Sequence, residues 1–343
     1  MRIGIIGRFA DGKELLDGQT IKTKILRDEL RKKKSNYKVR IADVYNFKIK
    51  FFLIYIRIFF LFIKSDVIIV LLSKNGRRIL FPYIYFLNKI FKRKMYHDVI
   101  GGKFVDDILC NNTKKKHLLA FTEHWVETES MKNKLKEYGI ENVDVIPNFK
   151  PLAPIDIKDV YSLEEYRFCT FSRVTKAKGI TDAIEAIAKI NENIQYKVTL
   201  DIYGIVEDSY REEFDNLIKK YKNFVSYKGK VHYNDSINTI KKYYMLLFPT
   251  TFEGEGFPGT IIDAFFAGVP VIATDWRYNS EILSNGYTGI IYDYKKENGL
   301  YEAIEYCVKN ENEISNMRIN CVKEAEKYSS DKIMDKIISK INN

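Results

Sequence analysis

The chain runs to 343 residues with 56 Lys and Arg against 45 Asp and Glu, a formal net charge of +11, and 46% hydrophobic residues, which suits two domains of roughly 150–180 residues, each able to bury its own core. Four cysteines, Cys110, Cys169, Cys307 and Cys321, show no C-x-x-C spacing, which argues for reduced thiols and against a disulfide framework or zinc site. Residues 1–150 carry 31 Lys and Arg against 16 Asp and Glu, a net of +15, and residues 151–343 carry 25 against 29, a net of −4; such an excess can attract nucleic acid, an anionic membrane surface or acidic substrates, or simply aid solubility.

In chain order, Arg2-Ile3-Gly4-Ile5-Ile6-Gly7 reads as a first strand ending in glycine, and charges follow its apolar run, so no signal peptide is expected. Residues 20–33 read as a helix, and 37–44 and 66–72 as strands. Residues 47–91 crowd Phe, Ile, Leu and Tyr beside Lys48, Lys50, Arg57, Lys64, Arg77, Arg78 and Lys89. The apolar stretch 51–63 is interrupted by Arg57 and falls short of the ~18–20 residues a membrane crossing needs. The preferred reading is a helix that packs partly on its sheet and presents aromatic and basic groups to a lipid interface; pure core packing is the alternative.

Residues 77–91 read as helical, 94–100 as a strand, 118–121 as a short strand and 143–146 as another. Pro147, Pro151 and Pro154 mark an extended interdomain linker. Strands follow near 167–172, 197–203, 224–227, 245–248 and 269–273, and 299–341 reads as helices. The alternation is that of a doubly wound α/β protein. The expected domains are 1–150 and 151–325, with 326–343 as a final helix.

Two constellations carry chemistry. In the first, Glu255-Gly256-Phe257-Pro258-Gly259-Thr260 and then Asp263 set two acids eight positions apart around a glycine-rich turn opening a short helix. Free N–H groups over 259–262 would face an anion, and Asp263 lies one turn beyond Gly259 on the same face. Phosphate and a hydroxyl-rich ring could be held side by side, as a nucleotide sugar requires; a tight turn before an amphipathic helix is the plainer alternative.

In the second, Arg173 leaves a strand end and Lys178 precedes an amphipathic helix with apolar residues at 180, 184, 187 and 190. Asp182 and Glu185 resemble a capping box. Two cations converging on a helix N-terminus make an anion site, unless they are ordinary solvated charges. In the N-terminal half, Gly18, Gln19, Thr20 and Thr23 follow a flexible loop at 7–12 and are candidate contacts. Gly101 and Gly102 end a strand on the face where α/β sheets bind ligands.

At these positions the chain resembles the retaining family-four glycosyltransferases of the GT-B fold, two facing Rossmann-like domains with a cleft between them, and the resemblance implies that the final helix, 326–343, returns to the first domain. The signature E-G-F-G-x-x-x-x-E, a small-residue helix and G-x-P-V stands here as Glu255-Gly256-Phe257-Pro258, Asp263 and Gly268-Val269-Pro270-Val271. The resemblance implies that Arg173 and Lys178 grip the donor diphosphate, that Glu255 orients the sugar, and that Asp263 holds the ribose. Gly204, Gly256, Phe257, Pro258, Gly259 and Thr260 complete the expected donor site. Asp at 263 shortens the reach by one methylene, Pro258 removes an N–H, and Ser172 stands where relatives have Gly. Relatives often carry a His-Asp pair near a strand end; here His97-Asp98 precedes Val99-Ile100, so Gly101 and Gly102 are the alternative lining.

No D-x-D metal motif is present, Glu253-Gly254-Glu255 being the nearest imitation, and neither a Walker loop nor G-x-S-x-G occurs. The expectation is metal-independent transfer with no cofactor, Arg173 and Lys178 neutralising the leaving charge. The resemblance is strong over 165–285, moderate over 120–150 and weak before. Within the family the chain looks most like bacterial enzymes of capsule, O-antigen or exopolysaccharide assembly. That implies a UDP-sugar donor, a lipid-linked oligosaccharide acceptor, no nucleic acid partner, and a cytoplasmic protein held peripherally on the anionic inner face of the plasma membrane. Two rivals stay open: a non-catalytic nucleotide-sugar-binding subunit, and an epimerase or hydrolase on the same fold.

Overall fold

The computed structural model describes residues 1–13, 17–34, 36–110, 113–159, 165–193 and 197–342. It divides into two compact units, Met1–Pro151 with Ser330–Asn343, and Leu152–Ser329. In the first unit, strands β1 (Arg2–Gly7), β2 (Lys38–Asp43), β3 (Val67–Leu71), β4 (Lys94–Asp98), β5 (Glu123–Val126) and β6 (Val143–Val145) form one sheet in the order β2-β1-β3-β4-β5-β6. In the second, β7 (Tyr166–Phe171), β8 (Val198–Tyr203), β9 (Val225–Gly229), β10 (Met245–Phe248), β11 (Val271–Thr274) and β12 (Gly289–Tyr292) run β12-β11-β10-β7-β8-β9. Pairing is parallel throughout both sheets.

Parallel sheets of this kind are covered by helices on both faces, so their strands read as near-continuous apolar runs. β3, with every residue buried, and β10 do so. The strand order reverses between β1 and β3 in the first unit and between β7 and β10 in the second. At such a reversal the loops leaving the strands' carboxyl ends diverge, one to each face, and leave room for a ligand. In the second unit those loops carry Arg173 and Lys178 after β7, and Glu255 after β10.

The last helix, Ser330–Asn342, belongs to the core of the first unit. It sends Ile333, Met334, Ile337, Ile338 and Ile341 against Leu26, Leu30 and Trp125. The Tyr96 hydroxyl donates to the Lys340 carbonyl at 2.6 Å. Lys340 also pairs with Asp144 at 2.9 Å and Glu123 at 2.8 Å. Burial would raise Asp144, but hydrogen bonds from Lys340 and Lys336 hold its carboxyl well below the usual range.

Several local expectations are corrected. Leu118 to Phe121 is not a strand: Lys115–Leu118 is helical, and the paired strand is β5, which buries Trp125 between β4 and β6. β12 was not foreseen. The helix after Lys178 starts at Ile180, with Gly179 at φ +69° before it, so Asp182 lies in the first turn and Asp182/Glu185 is not a capping box.

Residues 47–91 hold two helices, Phe47–Lys64 and Lys74–Phe91, on either side of β3. Ile54, Ile58, Leu61 and Phe62 form the buried stripe of the first, at the i, i+4, i+7, i+8 spacing of one helix face. Most of its other apolar residues remain in solvent: Ile49 is 82% exposed, Phe51 56%, Phe52 66% and Phe60 49%. The second helix exposes Ile79, Phe86 and Ile90, and the Tyr55 and Tyr83 rings meet at a tilt, their centroids 4.7 Å apart, where the two helices touch. Lys48, Lys50, Arg57, Lys64, Arg78 and Lys89 are exposed around them, and between Asp43 and Asp98 the only acid is Asp66. Among the described residues no helix is long and apolar enough to cross a membrane.

Candidate functional site

Two glycines let the loops of the second unit touch. Gly179 sits at φ +69°, and a Cβ there would lie 2.1 Å from the Pro249 carbonyl oxygen. Only glycine tolerates both the conformation and the approach. The contact is secured by the Thr251 N–H donating to the Ala177 carbonyl at 2.9 Å. Gly204, at φ +140°, has no room for a Cβ, which would stand 1.7 Å from the Ser172 oxygen. Ser172 and Val174 N–H groups then reach Tyr203 and Ile205 carbonyls. Gly204 thus sets the path of the Arg173 loop by close packing of backbones.

These contacts bring Arg173, Lys178 and Glu255 around one aromatic ring. The Arg173 guanidinium and the Lys178 ammonium each lie 5.1 Å from the centroid of Phe252. Lys178 pairs directly with Glu255, both side chains being about nine-tenths buried. The Thr250 hydroxyl donates to the same carboxylate oxygen at 2.9 Å and accepts the Phe252 N–H at 3.2 Å. Thr274 ties its hydroxyl to the Thr250 carbonyl at 2.7 Å, and the Trp276 indole donates to the Phe252 carbonyl at 3.0 Å. Arg173 is exposed, and among the described residues its guanidinium makes no ion pair or side-chain hydrogen bond. The arrangement is one available cation and one occupied cation beside a carboxylate.

The glycine-rich turn continues into the helix Gly259–Phe266, which follows Pro258 at φ −67°. Gly256, Phe257 and Pro258 are buried, and Phe257 packs on Tyr328 at 5.3 Å. Gly259 and Thr260, at the helix start, stay partly exposed, so their N–H groups are the ones positioned to meet an anion. The Thr260 hydroxyl donates to the Phe171 carbonyl at 2.7 Å and so fastens this helix to β7. Asp263 is only 4% exposed.

In the first unit the expected residues separate. Gly18 and Gln19 open the helix Gly18–Lys33 and retain exposure. Thr20 is fully buried, its N–H and hydroxyl both donating to the cap Asp17, while the Thr23 hydroxyl donates to the Gln19 carbonyl. Gly101, at φ +80°, and buried Gly102 make the turn after β4. His97 does not line a surface site. It is fully buried among Phe81, Phe104 and Phe121, with its Nδ1 3.0 Å from His124 Nδ1.

Sequence reading missed the partners that organise this edge. Asp43, at the end of β2, accepts the N–H groups of Phe9, Ala10 and Tyr45. The Lys22 ammonium, 4% exposed, lies 2.7 Å from Asp98 and 3.0 Å from Glu127 and donates to the Val99 carbonyl. Burial disfavours its charge, but the two carboxylates outweigh that and hold it protonated. Among the described residues no group of three or more His, Cys, Asp or Glu side chains is placed to hold a metal ion.

Two Rossmann-like units, the second with paired cations at its strand reversal, define a protein of the GT-B fold. Residues 153–328 match the family model described as Glycosyl transferases group 1, and the chain belongs to that family of glycosyltransferases. It is 22% identical over 289 residues to an uncharacterized glycosyltransferase of Methanocaldococcus jannaschii, covering 78% of this chain and 71% of that one. It is 31% identical over 173 residues to the capsular polysaccharide biosynthesis glycosyltransferase CapM of Staphylococcus aureus, covering 50% of this chain and 44% of CapM. The match therefore spans less than half of CapM. The fold is shared along the whole of both chains with Anabaena HepE, solved in complex with UDP, at a TM-score of 0.77 and 14% identity.

Gly204→Ala is expected to destabilise the second unit by at least about 2 kcal/mol more than Gly229→Ala. Both positions have positive φ, but a Cβ at 229 meets nothing within 4 Å. Urea unfolding of the two variants checks this, and equal costs would contradict the close approach. The buried imidazoles set a pH dependence. His97 is held well below its usual range by burial first, then by His124, Arg77 and Lys22, and His124 is pushed down to about 4 by burial. The folded protein keeps both neutral while the unfolded chain protonates near pH 6.5, so their contribution is complete above that pH and is lost as pH falls toward 4. Stability should decline by on the order of 1 kcal/mol per pH unit between pH 6.5 and 5, read by urea unfolding. A flat profile would contradict neutral burial.

Proposed function

We propose that the chain is a retaining, metal-independent glycosyltransferase that moves a sugar from a nucleotide diphosphate sugar, a UDP-sugar, to a lipid-linked oligosaccharide of bacterial surface polysaccharide assembly. The observation that carries this reading is the convergence of Arg173 and Lys178 on the Phe252 ring, with Glu255 beside them and the helix Gly259–Phe266 opening next in the chain. A diphosphate needs concentrated positive charge and N–H donors, and a sugar ring needs a carboxylate for its hydroxyls.

In transfer, the bond between the sugar C1 and the phosphate oxygen breaks, and the acceptor hydroxyl oxygen bonds to C1 from the same face. The hydroxyl proton goes to the departing phosphate oxygen. Arg173 and Lys178 stabilise the charge that grows there, so no metal is needed to neutralise it. Glu255 orients the sugar, Asp263 reaches the ribose, and Gly259 and Thr260 supply backbone donors. The acceptor side falls to the basic first unit, with Gly18, Gln19, Gly101 and Gly102 as its lining.

The exposed apolar faces of Phe47–Lys64 and Lys74–Phe91, ringed by lysine and arginine, support peripheral attachment to the anionic cytoplasmic face of the membrane, where a lipid-linked acceptor resides. Apolar side chains enter the interface while basic ones meet the headgroups.

Calorimetric titration with UDP, GDP and ADP in excess chelator tests the donor site. Binding of UDP is expected, weakened at least about tenfold by Arg173→Ala, the cost of a lost charge-assisted contact. Binding that needs a divalent cation, or survives the substitution, would contradict the reading. Co-sedimentation with phosphatidylglycerol vesicles is expected at low salt, and to be lost when Phe51, Phe52 and Phe60 are changed together to Ser. Protein left in the supernatant in both cases would retire the membrane attachment.

A further inference from the structure

Lys178 and Glu255 lie 77 positions apart in the chain and meet in an ion pair with little solvent access. Thr250 adds a second donor to the same carboxylate oxygen. The ammonium assigned above to the departing diphosphate is thus already satisfied by an anion of the protein itself. A carboxylate oxygen is the closest protein counterpart of a phosphate oxygen, anionic and a strong acceptor at similar distance. Arg173, over the same aromatic ring, is exposed and available.

We infer that Glu255 is an internal competitor of the diphosphate: it occupies Lys178 when the site is empty, yields it as the nucleotide sugar binds, and retakes it after transfer to help expel the nucleoside diphosphate. This rests on the donor-site reading above. The competition follows from charge. A diphosphate carries more negative charge than one carboxylate and engages Arg173 as well, so it wins Lys178 once bound. The displaced Glu255 then lies beside phosphates, and like charges at short range repel. With a sugar present its hydroxyls donate to Glu255 and offset that repulsion. With a bare nucleoside diphosphate nothing does. Glu255 therefore favours the substrate over the product, and the site clears itself after each turnover.

The direction of the effect separates this role from a structural one, because damage to the site weakens binding. UDP affinity of Glu255→Gln, measured by calorimetry in chelator, is expected to be about tenfold tighter than that of the wild type, as coupling energies of close charge pairs suggest. In a Lys178→Met background the same substitution should have no such effect, since no ammonium remains to compete for. Thermal unfolding verifies that each variant is folded; should Glu255→Gln not fold, Glu255→Asp, which retracts the carboxylate by one methylene, is expected to bind UDP several-fold tighter. Unchanged or weaker UDP binding in the folded glutamine or aspartate variant would overturn the inference while leaving the donor site intact. Tightening that persists without Lys178 would overturn it too. Failure of the wild type to bind any of UDP, GDP or ADP would remove the donor site itself, and the inference with it.

Discussion

Close approach of backbones in the second unit is the constraint on which its chemistry depends. Gly179 against the Pro249 carbonyl and Gly204 against the Ser172 carbonyl leave no space for a side chain, so the loops after β7, β8 and β10 are locked to one another. The parallel sheet sets where this happens: strand order reverses between β7 and β10, so the loops leave their strand ends toward opposite faces of the sheet, and the glycine contacts tie them together at that point. What they bring together there is charge. Phe252 provides an apolar surface under Arg173 and Lys178, and Thr250, Thr274 and Trp276 hold the strand of loop that carries it.

The first unit solves a different problem at the matching edge of its sheet. Lys22 is buried, and a buried ammonium persists only with anionic partners. Asp98, at the end of β4, and Glu127, just past β5, provide them. Because Lys22 belongs to the helix Gly18–Lys33, the triad fixes that helix against two strand ends and aims its N-terminus. Asp43 does the same for the loop after β1 by accepting three N–H groups. Rigid polar anchoring here coexists with an unusually apolar outer face on Phe47–Lys64 and Lys74–Phe91, where large side chains face solvent.

Much of this was legible in the residues, and the exceptions have physical causes. Short apolar runs such as Met245–Phe248 and the 3.6-residue spacing of 180, 184, 187 and 190 stand out because burial on a sheet or along one helix face imposes them. β5 was missed because Glu123 and His124 open it with polar side chains, and the more apolar Leu118 and Phe121 lie just before it. Pairing of β5 with both β4 and β6 decided the matter. His97 stood as a site candidate through the His-Asp pair that relatives carry near a strand end; the rings that enclose it, Phe81, Phe104 and Phe121, come from other elements. Arg173, Lys178 and Glu255 were readable as a set of charges. Their pairing was not, since it depends on two loops 77 positions apart. Nor was the role of Gly204, which is defined by a carbonyl on another strand's loop.

If the second unit binds a nucleotide diphosphate as proposed, its phosphates meet Arg173 and Lys178. A crystal structure of the protein with UDP tests it most directly. The diphosphate should lie within about 3 Å of both the Arg173 guanidinium and the Lys178 ammonium, with Glu255 moved off Lys178. A diphosphate bound elsewhere, with the Lys178–Glu255 pair intact, would contradict it.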